Sequence, residues 1–129
     1  MPQPEGEVLY DAAKAGKLDE VEAAVDAGAP MEWANPDWYG WRAIHTASAC
    51  GRKDVVAFLG SRGADVNAVT DSQSTPLHFA ATNGHASVCT TLLALGADPA
   101  AKTTDGETAL DRARANNPKC VAVLEAAMR

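Results

Sequence analysis

The chain has 129 residues, enough to bury one core without disulfides or a structural metal and too few for a two-domain enzyme. A hydrophobic content of 47% excludes a disordered chain, and 27 alanines against 7 aromatics favour closely packed helices over strands. Eleven basic against 17 acidic side chains leave a net charge of −6, the wrong sign for a phosphate backbone or an anionic bilayer, so neither nucleic acid nor membrane is an expected partner.

The opening residues, Met1 to Glu7, have neither the basic nor the apolar stretch of a signal peptide. Cys50, Cys89 and Cys120 are an odd, widely spaced set without Cys-x-x-Cys. Both features point to reduced thiols and a cytoplasmic protein, the nucleus being the alternative compartment. Along the chain, Leu9, Ile44, Leu77 and Leu110 fall in one register with steps of 35, 33 and 33, and Ala12, Ala47, Ala80 and Ala113 follow three residues on. Gly16, Gly51 and Gly84 lie seven after those apolar residues, Gly28, Gly63 and Gly96 twelve further on, and Asn117 takes the fourth glycine position as a left-handed substitute. Such a period means stacked units that bury a core only together. A single domain over 1–129 is therefore expected, with units at about 7–36, 37–69, 70–102 and 103–129, the first and last acting as caps.

Each unit reads as helix, turn, helix and an extended excursion. In the first, Tyr10 stands where His45 and His78 stand later, and Lys14, Lys17, Glu20 and Glu22 mark a solvated face. Between the first and second units lies Trp33-Ala34-Asn35-Pro36-Asp37-Trp38-Tyr39-Gly40-Trp41, which holds four of the seven aromatics. The 35-residue step makes this hairpin two residues longer than the others, with Asn35-Pro36 as its expected turn. The second unit, Arg42-Ala43-Ile44-His45, lacks a capping threonine and proline. In the third, Val88, Leu92 and Leu93 form an apolar helix stripe after Thr75-Pro76-Leu77-His78-Phe79-Ala80-Ala81, in which Thr75 caps and Pro76 starts a helix. In the fourth, Asp111 replaces the histidine and Pro118 opens a second helix expected to be short.

The third unit, continued by Gly84-His85, Leu92-Leu93-Ala94-Leu95-Gly96-Ala97-Asp98 and the matching Gly63-Ala64-Asp65-Val66-Asn67-Ala68, resembles the ankyrin repeat. The resemblance covers about residues 7–129, at a size similar to that of myotrophin-like small ankyrin proteins. It implies an all-α solenoid of four helix-turn-helix units joined by β-hairpin-like fingers. It also implies a non-catalytic adaptor or regulator that binds a protein through the fingers and the concave groove. The alternative is a structural subunit of a homo- or hetero-oligomer with the aromatic finger buried in a permanent interface; a monomer is expected ahead of a homodimer.

No phosphate loop, nucleophile elbow or zinc-protease motif is present, so no catalytic residue, cofactor or metal ligand is assigned and no enzyme is expected. Residues 1–40 carry nine acids and two bases, and the remainder eight acids and nine bases. Glu32 and Asp37 beside aromatic faces would favour a cationic group, so a basic peptide segment is the expected ligand. The candidate partner-binding set is Trp38, Tyr39, Trp41, Glu32, Asp37 and Arg42 at the long finger, with Ser72, Ser74, Thr82, Asn83, Asp105 and Glu107 along the groove, whose expected polar lining also includes Asn116. Trp38 and Trp41 are expected to be presented and Trp33 packed. Asn67 resembles the ankyrin asparagines hydroxylated by an oxygen-sensing dioxygenase, against the plainer role of holding its hairpin together.

Overall fold

The computed structural model describes residues 4–115 and 117–129. Among these, eight α-helices form four pairs: α1 (Glu5–Ala15) with α2 (Leu18–Asp26), α3 (Ala43–Ala49) with α4 (Lys53–Ser61), α5 (Pro76–Thr82) with α6 (Ala86–Ala94), and α7 (Ala109–Ala113) with α8 (Pro118–Ala127). The odd helices pack in a row, α1 on α3 on α5 on α7, and the even helices form a second row beside them. Among the described residues, no helix is long and apolar enough to cross a membrane.

The alanine register explains the inner row. Ala13, Ala47, Ala80, Ala81 and Ala113 are all buried, and only a methyl-sized side chain allows neighbouring units to approach so closely. Leu9, Ile44, Leu77 and Leu110 fill the layer between rows together with Val21, Val55, Val56, Leu59, Val88, Leu92 and Leu124. Each fully buried Val or Leu there contributes about 1.5–3 kcal/mol.

Thr75 and Pro76 start α5 as the sequence requires. The Thr75 hydroxyl accepts from His78 N, and His78 Nδ1 in turn accepts from Thr75 N at 3.0 Å. Arginine offers no acceptor at the matching start of α3, so half of that box survives, with His45 Nδ1 accepting from Arg42 N at 2.9 Å. With Nδ1 accepting, Nε2 carries the proton and donates to a backbone carbonyl elsewhere. His45 bonds Ala68 O at 2.8 Å, and His78 bonds Glu107 O at 2.9 Å. At the fourth unit Thr108 and Asp111 replace the histidine device with a reciprocal threonine–aspartate box.

The fourth unit differs from expectation in two ways. Its first helix, α7, is the short one at 5 residues, while α8 has 10. Asn117 has φ −127°, so it is no left-handed glycine substitute. The cause is a one-residue shortening: α8 starts 32 residues after α6, whereas α7 starts 33 after α5. Asn117 thereby falls at the place of Arg52 and His85, immediately before the second helix. There the three side chains do the same work, each reaching back to the first helix of the preceding unit. Arg52 Nε donates to Lys14 O at 3.1 Å, His85 Nε2 to Ala49 O at 3.0 Å, and Asn117 Nδ2 to Ala81 O at 2.8 Å.

Candidate functional site

Three fingers project between the helix pairs. The first closes where Asn35 N donates to Trp41 O at 2.7 Å, the second where Thr70 N donates to Ser74 O at 3.0 Å, the third where Thr103 N donates to Glu107 O at 3.0 Å. The first loop thus carries the two extra residues the spacing required. Asn35-Pro36 does open a turn, with Trp38 N donating to Asn35 O and Asn35 Oδ1 accepting from Asp37 N. A second turn follows at once, Trp41 N to Trp38 O, with Tyr39 at φ 55° and Gly40 at φ 74°. Left-handed φ at both central residues is the hairpin geometry that Asn-Gly adopts most readily; a tyrosine there carries strain of about 1–2 kcal/mol. The fingers are tied side by side through backbone, Asp71 N to Tyr39 O and Thr104 N to Ser72 O, both at 3.0 Å.

The aromatics divide differently from expectation. Trp33 is packed, its ring edge-on to buried Tyr10 at 6.0 Å. The Tyr10 hydroxyl lies beside the side chains of Thr46 and Asn35, at the base of the finger. Trp38 and Tyr39 are presented, at 50% and 66% exposure. Trp41, expected beside them on the outside, is half-buried: its ring lies 4.2 Å from that of Phe79, which meets His45 edge-on at 5.8 Å. Trp38 contacts both Tyr39 and Trp41 at 5.6 and 6.2 Å, so the exposed pair stands on a half-buried aromatic footing.

Between the fingers and the inner helices lies a groove of about 550 Å³ lined by Tyr39, Trp41, Asp71, Ser72, Ser74, Phe79, Thr104 and Arg112. Tyr39, Trp41 and Ser72 meet there as the candidate set had them. Ser74 touches the groove but is only 1% exposed, because its hydroxyl is held by Ser72 Oγ at 2.8 Å at the finger's base; it shapes the groove and offers no partner contact. Thr82 and Asn83 lie exposed at the end of α5, yet both are engaged: Thr82 Oγ1 donates to His78 O and Asn83 Nδ2 to Ala49 O, each at 2.8 Å. Asp105 is exposed on the third finger, and half-buried Glu107 stands 3.8 Å from Arg112 Nε. Asn116 lies outside the described residues.

Phe79, Arg112, Asp71 and Thr104 were missed by sequence reasoning. The register could have found them, since Phe79 and Arg112 both follow the histidine position and Asp71 and Thr104 occupy the place of Trp38 in later units.

The charges also redistribute. Glu32 is spent inside the molecule: Oε1 pairs with Arg42 Nη1 at 2.8 Å and Oε2 accepts from Asp65 N at 3.0 Å. Neither Glu32 nor Arg42 is therefore a free charge for a partner, contrary to expectation. The acids left unpaired on the fingers, among the described residues, are Asp37, Asp71 and Asp105. Asn67 is likewise committed, its Oδ1 accepting from Asp98 N at 2.8 Å and its Nδ2 donating to Gly96 O at 3.3 Å, a bridge between the second and third units. Any enzyme modifying Asn67 must first open that bridge.

Among the described residues, no group of three His, Cys, Asp or Glu side chains could hold a metal ion. Burial pushes the Cys89 thiol up to about 12, and neighbouring Cys120 pushes the same way; burial raises Cys120 as well, so neither is a thiolate near neutral pH. Burial, ahead of the opposing pull of the Ala68 carbonyl, holds His45 down to about 4, and His78 is lowered for the same reason. Both rings are neutral structural donors.

Comparison with known proteins gives one family. A model of ankyrin repeats in three copies matches residues 3–70, and a model of ankyrin repeats in many copies matches residues 59–113. The chain is similar to the RelA-associated inhibitor of Mus musculus, 37% identical over 81% of this chain and 13% of that protein. It is similar to the E3 ubiquitin-protein ligase hecd-1 of Caenorhabditis elegans, 38% identical over 82% of this chain and 3% of the ligase. It is also similar to protein phosphatase 1 regulatory subunit 27 of Mus musculus, 30% identical over 81% of this chain and 67% of that subunit. The chain thus spans a small fraction of the first two relatives.

Proposed function

Because the chain belongs to the ankyrin-repeat family, whose repeats are generally non-catalytic protein–protein interaction modules, we propose that it is an adaptor or regulator that binds a protein through its long aromatic finger and the groove beneath it. The single observation that carries this reading is the exposure of Trp38 and Tyr39 on a finger whose remaining aromatics are packed. Exposed aromatics on a rigid footing bring contact area at small entropic cost, and such anchors are worth about 2 kcal/mol or more each at an interface. The tyrosine at a left-handed tip supports it, since asparagine or glycine would serve the turn at less cost.

Charge favours a partner with a basic segment. The finger acids Asp37, Asp71 and Asp105 stand unpaired, while Arg42 and Arg112 beside the groove face Glu32 and Glu107. Regulators among the relatives, an inhibitor by name and a phosphatase regulatory subunit by name, accord with a regulatory role.

Affinity capture from a cell lysate with the wild type and a Trp38→Ala/Tyr39→Ala variant tests the reading, after both are shown to melt alike. Loss of a partner in the variant alone supports it; identical capture by both overturns it. If the variant instead abolishes concentration-dependent light scattering of the purified protein, the finger is the seam of an oligomer.

A further inference from the structure

The groove has its own chemistry, distinct from that of the finger tip. Its apolar surface is the Trp41–Phe79 pair, two rings 4.2 Å apart and tilted by 40°. At its mouth stands Asp71, whose carboxylate Oδ1 lies against the backbone of the first finger, 2.8 Å from where a Cβ on Gly40 would be. A side chain at position 40 would occupy that space, so the glycine does more than permit the turn. Asp71 takes part in no ion pair, and only its backbone amide is engaged, to Tyr39 O. The one basic side chain lining the groove, Arg112, meets Glu107 and Thr82: Nε is 3.8 Å from Glu107 Oε1, and Nη1 donates to Thr82 Oγ1 at 3.4 Å. The remaining lining, Tyr39, Ser72, Ser74 and Thr104, is hydroxyl-bearing.

An uncompensated carboxylate beside aromatic faces, in a cleft of about 550 Å³, matches one kind of side chain. A guanidinium is planar, stacks on rings, and offers a donor fork to a carboxylate while its remaining N–H groups reach hydroxyls; an ammonium is a compact, strongly hydrated charge that does neither as well. Resting on the reading that finger and groove form the binding face, we propose that this groove is an arginine pocket. The partner's basic segment inserts an arginine whose stem lies over Trp41 and Phe79 and whose guanidinium pairs with Asp71. Glu32 and Asp37, the acids nearest the aromatics in sequence, are not its counter-ions: the first is spent on Arg42 and Asp65, and neither lines the groove.

The test uses the whole chain and two defined probes, N-acetyl-arginine amide and N-acetyl-lysine amide, titrated against 15N-labelled protein. The arginine probe should shift the Trp41 indole and the amides of residues 71, 72 and 104 saturably, with an affinity at least fivefold above that of the lysine probe. Asp71→Asn, at an exposed position, should keep the wild-type spectrum elsewhere and weaken the arginine probe about tenfold, erasing the preference. Equal shifts by both probes, shifts that miss the groove, or an unchanged arginine affinity in Asp71→Asn would overturn the pocket. Those results would leave the finger reading standing if capture still depended on Trp38 and Tyr39, whereas a bound arginine with capture indifferent to both aromatics would retain the pocket and remove the finger.

Discussion

Acid should loosen this protein well before its carboxylates are neutralised, and His45 supplies a magnitude. The ring is fully buried, donates from Nε2 to Ala68 O and accepts at Nδ1 from Arg42 N, so a proton on Nδ1 would replace an attraction with a clash of donors. Its ordinary value of 6.5 is lowered to about 4 in the fold, chiefly by burial. Between those values the unfolded ring holds a proton that the folded ring lacks, so stability rises with pH across that window. The neutral ring costs nothing above 6.5, and the penalty accumulates as pH falls from 6.5 toward 4. At pH 5.5 the His45 penalty amounts to about 1.3 kcal/mol relative to pH 7.5. His78, lowered in the same direction, adds to it. Urea titrations followed by circular dichroism at the two pH values, for wild type and His45→Gln, measure the effect. The glutamine keeps a donor and cannot titrate, so the variant should be less stable at pH 7.5 yet lose about 1.3 kcal/mol less on acidification. An equal loss in both proteins would refute the argument.

Trp38 and Trp41 should separate cleanly. Trp41→Ala removes a ring stacked on Phe79 and should cost about 2–3 kcal/mol, whereas Trp38→Ala, half exposed at the tip, should cost under about 1 kcal/mol and remove most of the acrylamide-quenchable fluorescence. Equal melting losses would contradict that assignment. The last unit should fray first, because α7 has only 5 residues; Asn117→Ala should lower hydrogen-exchange protection in α8 by about 1–2 kcal/mol while leaving α3 and α5 unchanged. Uniform protection across all four helix pairs would count against it.

Much of the fold was legible because a solenoid repeats its reasons. The leucine and alanine registers, Thr75-Pro76 and the left-handed glycines each announce one helix boundary, and the next unit restates it. What escaped was whatever broke the period by one. The deletion before α8 placed Asn117 in the role of His85, and no single-residue propensity distinguishes an asparagine that replaces a glycine from one that replaces a histidine. The site was legible as composition but less so as placement. Trp33 to Trp41 stood out as aromatic, yet which ring packs depended on Phe79, 38 residues away from Trp41 and across a unit boundary. Glu32 looked available beside the aromatics because its partners, Arg42 and Asp65, are contacts of the folded chain. Conversely, Asp71 looked like an ordinary loop acid until the backbone bond to Tyr39 O set it at the groove.

The central claim, that the finger face is where a protein partner sits, is met most directly by photo-crosslinking. A benzophenone amino acid replaces Tyr39 at the tip or, in a second protein, the exposed Thr90 of α6, and each is irradiated in the same lysate. One discrete adduct at position 39 and none at 90 is the predicted result; adducts of equal yield at both positions, or an adduct at 90 alone, would contradict the claim.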